Sequence, residues 1–206
     1  MFNVVEASIA QLRSALESGE ITAVDLVNLY IARIDRYDTP DSETKLNSIV
    51  VRNDNALAEA AESDSRRAAG KLRGPLDGIP YTAKDSFMVT GLTVAAGSPA
   101  FTELVAQRDA FIIERLRAAG AICLGLTNMP PIANGGMQRG AYGRAESPYN
   151  EKYLTAPFAS GSSNGSGTAT AACSISYGMS CVVSSTANYI TNYQICSGDF
   201  RLHQRR

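Results

Sequence analysis

The chain has 206 residues, about one domain's worth, and 19 Lys and Arg against 20 Asp and Glu leave it at a net charge of −1. That balance excludes nucleic acid as a bulk partner, because phosphate binding needs a basic surplus. Hydrophobic residues at 45% and charged residues at 19% describe a globular chain and not a disordered one.

The elements follow in chain order. Ile9, Leu12, Ala15 and Leu16 fall on one helical face, and Gly19 stops the run. Thr22 reads as an N-cap with Asp25 in the first turn, and Val24, Val27, Ile31 and Ile34 carry a second helix to Tyr37. Residues 38–45 are a polar loop, and Leu46 to Val51 a short strand. Asn53 to Ala69 reads as an alanine-rich helix closed by Gly70. Gly74-Pro75-Leu76-Asp77-Gly78 is turn chemistry, and Ile79 to Ala83 a strand. Asp109 is the expected cap of a helix with Ile112, Ile113, Leu116 and Ala119 on one face, Gly120 as its C′ residue, and Ala121 to Leu124 as the strand that follows. Helix, glycine and strand in this order predict an α/β fold, a sheet flanked by helices.

Residues 130–160 are rich in Gly, Pro, Asn and Ser and show no clear element, which marks a functional loop or missing structure. Ser160-Gly161-Ser162-Ser163-Asn164-Gly165-Ser166-Gly167 then leads into a small-residue helix from Thr168 to Ala172. A phosphate cradle at a helix start is one reading, but no Walker lysine follows and no GxGxxG can be drawn. A flexible linker is the other.

Two scarcities narrow the chemistry. The single histidine, His203, lies four residues from the end, a poor place for a catalytic imidazole. Cys123, Cys173, Cys181 and Cys196 form no CxxC pair and have no histidine cluster beside them, so neither a zinc site nor a disulfide framework is expected. No apolar run reaches the roughly 18 residues of a membrane span, and Met1 to Glu6 lacks the basic and apolar parts of a secretory signal. A cytoplasmic protein with reduced thiols and no membrane partner is expected. A hydrolase of this composition must activate its nucleophile without histidine and without metal.

Three segments carry a resemblance. Gly74 to Pro80 with Lys84-Asp85 is similar to the lysine-bearing strand of the amidase signature family. Gly125-Leu126-Thr127-Asn128-Met129-Pro130 resembles that family's GKTNMPE segment, with leucine where lysine is usual. Gly161-Ser162-Ser163-Asn164-Gly165-Ser166 resembles its GSSGGS loop, and the Ser-Asn-Gly-Ser-Gly-Thr wording resembles the fungal-type amidases. The order and separations fit from about residue 7 to about residue 178. The resemblance implies an amidase signature fold, a mixed β-sheet flanked by helices, here cut short at its C-terminal side.

It also implies a reaction: hydrolysis of the C–N bond of a small-molecule carboxylic amide by a Ser–cis-Ser–Lys triad, with neither metal nor cofactor. Lys84 is then the base, neutral when it acts, its pKa lowered by burial below the ~10.4 of a free side chain. Asp85 adjoins it, but alternate side chains of a strand face opposite ways, so the two need not pair. Ser162 is the bridging serine, relaying a proton through a hydroxyl that both donates and accepts. Gly161 and Ser163 are its supports or part of an oxyanion loop. Without the motifs, Lys84 reads as an ordinary exposed lysine and Ser162 and Ser163 as linker hydroxyls. Tyr81 and Met129 read as packing residues.

The resemblance breaks at the nucleophile. The family's spacing from Ser162 lands at Thr186, in Val182-Val183-Ser184-Ser185-Thr186-Ala187-Asn188, which lacks the glycine-rich turn that supplies oxyanion N–H groups. Ser185, one position off, is the remaining nucleophile candidate. Residues 1–178 therefore read as the N-terminal part of an amidase domain and 179–206 as a divergent tail, disordered or mis-spliced. Codons for Gly178-Met179-Ser180 can carry a splice-donor-like sequence, and codons for Thr191-Asn192-Tyr193-Gln194 a branch point and acceptor. The interval between them is not a multiple of three, so residues 195–206 would be read out of frame. The expected function is an amidase-type hydrolase whose chain is inactive for want of the nucleophile segment. The alternative is a non-catalytic pseudoenzyme or a small-ligand-binding module using the Gly/Ser loop.

Overall fold

The structure is a computed structural model that describes residues 2–135, 139–153, 155, 161–172 and 178–179. Ser8 opens helix α1 (Ile9–Ser18) with a capping box. Its hydroxyl accepts from Gln11 N, and Gln11 Oε1 accepts from Ser8 N at 2.8 Å, so two orphan donors are met by one reciprocal pair. Thr22 and Asp25 repeat the device at α2 (Ala23–Tyr37). A long-range acceptor adds to it: Asp64 of α3 (Ala56–Ala68) takes Ala23 N at 2.7 Å and Val24 N at 3.1 Å. That carboxylate meets the positive end of α2 and fixes the two helices together.

Strands β1 (Ile49–Arg52), β2 (Pro80–Lys84), β3 (Ile122–Thr127) and β4 (Gly178–Met179) lie in the order β1-β3-β2-β4. β1 runs antiparallel to β3, while β2 is parallel to both β3 and β4, so the sheet is mixed. Every residue of β2 and β3 is buried, as expected of central strands covered on both faces. One face packs Ile49, Ile79, Ile122 and Leu124 against Leu12 and Leu16 of α1, Leu26, Tyr30 and Ile34 of α2, and Ala60 of α3. The other joins Tyr81, Ala83, Cys123 and Leu126 to Val89 and to Ile113 of helix α4 (Phe111–Ala118). The parallel β2–β3 step is made by the crossover through α4, as parallel strands require.

Several boundaries differ from the sequence expectations, each for a local reason. Asp109 does not cap α4. Ala110 holds the N-cap position with no side-chain bond, and Asp109 instead accepts from Thr90 N at 2.7 Å and Arg117 Nε at 2.6 Å. It thereby ties the 90s loop to α4. The third helix starts at Ala56 and not Asn53, because Asn53 is bound to β3: its N–H reaches Leu124 O at 3.0 Å and its Nδ2 reaches Cys123 O at 2.8 Å. β1 starts at Ile49 because Asn47, at φ 50°, breaks the extended chain before it. β3 runs to Thr127, three residues beyond Leu124, because Thr127 pairs with both Ile49 and Lys84. Helix α5 (Asn164–Ala171) starts inside the Gly/Ser run. Within 130–160, the described residues hold one short 3-10 turn at Pro131–Ala133 and no longer element. Among the described residues, no helix is long and apolar enough to cross a membrane.

Candidate active site

Lys84 and Thr127 end β2 and β3 side by side as register partners. Both are buried, Lys84 at 2% exposure. The Lys84 Nζ donates to Ser162 Oγ at 2.6 Å, and Ser162 is itself 3% exposed. The Gly161–Ser162 peptide is cis. Two side chains that read as surface or linker groups without the motifs thus meet inside the molecule, 78 residues apart in sequence.

Helix α5 carries Ser162 just ahead of its first turn, and its own sequence is a poor helix former. Gly165 and Gly167 each cost about 1 kcal/mol relative to alanine in a helix interior, so tertiary contacts must hold it. Four are present. Gly165 N donates to Asn128 O at 3.0 Å, the Ser166 and Thr127 hydroxyls lie 2.7 Å apart, Thr168 Oγ1 donates to Glu146 O at 3.0 Å, and Arg33 Nη2 donates to Ala172 O at 2.8 Å. Gly165 is required for the first. A Cβ there would stand 2.3 Å from Asn128 N and 2.6 Å from its carbonyl oxygen.

The seat beneath α5 is held in turn from below. Asn128 N donates to Ser48 O at 2.8 Å, and Asn128 Nδ2 donates to Asn47 O at 2.9 Å. Ser48 is fixed by the buried Asp38 carboxylate, which accepts Ser48 N and Ile49 N, both at 2.8 Å, and the Ser48 hydroxyl. Thr127, Asn128 and Ser166 are site residues to which the sequence assigns no task of their own. Their signal is their place inside the motifs.

Asp85 does not turn to the pair. It is fully buried, and its carboxylate accepts Gly97 N at 2.8 Å and Ala95 N at 3.3 Å. Burial pushes this carboxyl up to about 6 against the pull of those two amides. Burial also raises the Tyr142 hydroxyl, and the Asp85 charge adds to that. Cys123 is free and buried, its thiol pushed up to about 12 by burial, which makes it an inert core group.

Gly161 and Ser163 flank Ser162, with Ser163 at the N-cap position of α5. Tyr81 and Met129 are buried at 0% and 2% exposure, consistent with packing. Ser185, Thr186, His203, Cys173, Cys181 and Cys196 lie outside the described residues. Among the described residues, no group of three or more His, Cys, Asp or Glu side chains could hold a metal ion. A buried amine hydrogen-bonded to a buried hydroxyl is chemically a proton-transfer pair, since the amine accepts when neutral and the hydroxyl both donates and accepts.

Known proteins share this arrangement of chain. The sequence model of the Amidase family matches residues 25–180. A glutamyl-tRNA(Gln) amidotransferase component from Aromatoleum aromaticum is 38% identical over 171 residues, which are 82% of this chain and 33% of that protein. The crystal structure of native peptide amidase from Stenotrophomonas maltophilia aligns with a TM-score of 0.80 at 34% identity, over 86% of this chain and 36% of that one. An amidase family protein from Bacillus anthracis aligns at 0.77 and 30% identity, over 85% of this chain and 35% of its own. The chain therefore spans about a third of the length of the relatives it matches.

Proposed function

The chain belongs to the amidase family, and from that premise we propose that residues 1–178 carry the base and relay of an amide-cleaving site. The reaction is water-dependent cleavage of the C–N bond of a small carboxylic amide through an acyl-enzyme. Lys84, as the neutral amine, takes the Ser162 proton, and Ser162 takes the proton of the nucleophilic hydroxyl as that oxygen attacks the carbonyl carbon. The same two groups return a proton to the departing amine when the C–N bond breaks. Water then repeats the sequence on the acyl group. Ser163 and Gly161 keep Ser162 in place. The observation that carries this reading is the 2.6 Å contact between Lys84 Nζ and Ser162 Oγ, both buried.

The nucleophile is the part this chain lacks. Ser185 is the nearest substitute, without the glycine-rich turn, and residues 179–206 are a tail whose sequence diverges from the family, as mis-splicing would leave it. The family match ending at residue 180 supports the division. Little or no turnover is expected from the 206-residue chain, since losing the nucleophile costs more than the ~10²–10³ in rate of one oxyanion donor. The reading places the protein in the cytoplasm, with no cofactor and no nucleic-acid partner.

The experiment has two arms. The chain itself is assayed on a panel of amides, and residues 25–178 are exchanged into the Stenotrophomonas maltophilia peptide amidase. Expected are silence in the first arm and turnover in the second that falls by ~10²–10⁴ in Lys84→Ala and Ser162→Ala, the range for a lost proton-transfer group. Turnover by the exchanged enzyme that survives Lys84→Ala overturns the mechanism. Turnover by the 206-residue chain that Lys84→Ala abolishes overturns the inactivity and assigns Ser185. Sequencing of the transcript tests the tail, and codons without the splice signals end the mis-splicing idea.

A further inference from the structure

Lys84 and Asp85 are neighbours at the end of β2, yet they hold different things. Lys84 reaches Ser162 directly. Asp85 gathers a turn: its carboxylate accepts Ala95 N and Gly97 N, and its carbonyl accepts Ala96 N at 3.1 Å. Three consecutive amides thus bond one residue, the outer two its carboxylate and the middle one its carbonyl, with Ala96 at φ 49° and Gly97 at φ 67°.

Two routes lead from that turn to α5. On the first, Ala96 O accepts Ile132 N at 2.8 Å, and Gly97 is pressed on Met129, where a Cβ would stand 2.3 Å from its carbonyl oxygen. Residues 129–132 continue from Asn128, which holds Gly165. On the second, Gly97 O accepts Ala141 N at 2.9 Å, and the strand of loop from there reaches Glu146, whose carbonyl accepts the Thr168 hydroxyl. Both routes end on the helix that follows Ser162. The contacts close a ring: Lys84 to Ser162, through α5 and the two loops, back to Asp85.

None of the ion pairs among the described residues involves Asp85. A fully buried carboxylate whose hydrogen bonds among the described residues come from two amides is costly compared with an apolar residue. Burial pushes its proton affinity up, as that cost requires. A group kept at such a cost, one residue from the amine of the pair, has a task that packing alone does not supply.

We propose that Asp85 is a positioning residue, whose carboxylate organises residues 95–97 so that the two loops they support hold α5, and with it Ser162, against Lys84. The proposal deepens the amidase reading and rests on it for the purpose of the pair, but not for the geometry.

The test is chemical protection in the 206-residue chain. Acetic anhydride modifies lysines, iodoacetamide modifies cysteines, and peptide mass spectrometry reads Lys84 and Cys123 separately. Cys123 is 1% exposed in the same sheet and reports general opening of the fold. Ser162→Ala sets the rate of Lys84 modification when its hydroxyl partner is gone. Asp85→Asn turns an amide donor toward one of the two N–H groups and is expected to raise the Lys84 rate by about tenfold, the size of a lost charge-assisted hydrogen bond, with Cys123 unchanged. A Lys84 rate unchanged from wild type overturns the proposal, and so does a parallel rise at Cys123, which makes Asp85 a stabilising residue only. If Asp85→Asn does not fold, Asp85→Glu, with the charge kept and the arm lengthened, is read in the same way. The assay needs no turnover. Amide cleavage insensitive to Lys84→Ala would remove the catalytic reading and leave this one standing.

Discussion

The N–H of Gly165 and the carbonyl of Asn128 meet at 3.0 Å, with the Gly165 Cα seated where a side chain would strike the Asn128 backbone. This junction brings the helix behind Ser162 onto the end of the strand beside Lys84. Gly165→Ala must lift α5, and a loss of about 1–3 kcal/mol is expected from the overpacking. Gly167→Ala is the control: no heavy atom lies within 4 Å of its would-be Cβ, so a gain of about 0.5–1 kcal/mol from helix propensity is expected. Urea unfolding of the two variants should move in opposite directions.

Thr127 and Ser166 should behave as a unit. Their hydroxyls are 2.7 Å apart in the interior, and Thr127 Oγ1 also faces Ala83 O at 3.4 Å. Thr127→Val keeps the shape and strands the Ser166 hydroxyl, at a cost of about 1–3 kcal/mol. Adding Ser166→Ala removes the stranded group, so the double variant should lose less than the two single losses together. A double-mutant cycle with strictly additive losses would show that the pair does not couple.

Asp85 sets a pH dependence of definite sign. Burial raises its carboxyl from an ordinary 3.8 to about 6, so the folded chain holds this proton more tightly than the unfolded one. The contribution to stability is full below about 3.8 and is lost as pH rises through about 6. The stability of wild type relative to Asp85→Asn should therefore fall across that window in urea titrations at stepped pH. A rise would contradict it.

Asp77 has the opposite sign. Burial works upward on its carboxyl but is outweighed by the Arg66 guanidinium, Arg73 N and the Ser63 hydroxyl, so the proton affinity is lowered. Arg66 meets it with two donors at 2.8 and 3.0 Å. This stability is present above the ordinary 3.8 and is lost as pH falls below it. Asp77→Asn should cost about 2–3 kcal/mol near neutrality, with the difference from wild type shrinking in acid.

The fold was legible where its cause is local. Thr22 and Asp25 announce α2 because a capping box is written within four positions, and Gly120 marks the end of α4 at φ 88°. The expectations failed where a side chain is claimed by a distant partner. Asp109 has the right chemistry for a cap, but Thr90 and Arg117 take it. Asn53 has the right place in an alanine-rich helix, but the carbonyl of Cys123 takes it. The contact of Lys84 with Ser162 has no signature in periodicity at all, and only the order of three motifs suggested that the two belong together. For Asp85 the strand alternation says only that it need not pair with Lys84, while its partners are amides, which no residue type reveals.

The cradle under α5 is built from peptide groups: Gly165 N, both ends of Asn128, and Ser48 O. Contacts of that kind are indifferent to which side chains the chain presents on its outside, so exchanges at the exposed Glu43 should leave Ser162 where it is. Length is what they cannot forgive. One residue inserted or removed between Asp38 and Ser48 would offer the wrong carbonyl to Asn128, and the displacement would pass along the chain of peptide bonds to the serine itself.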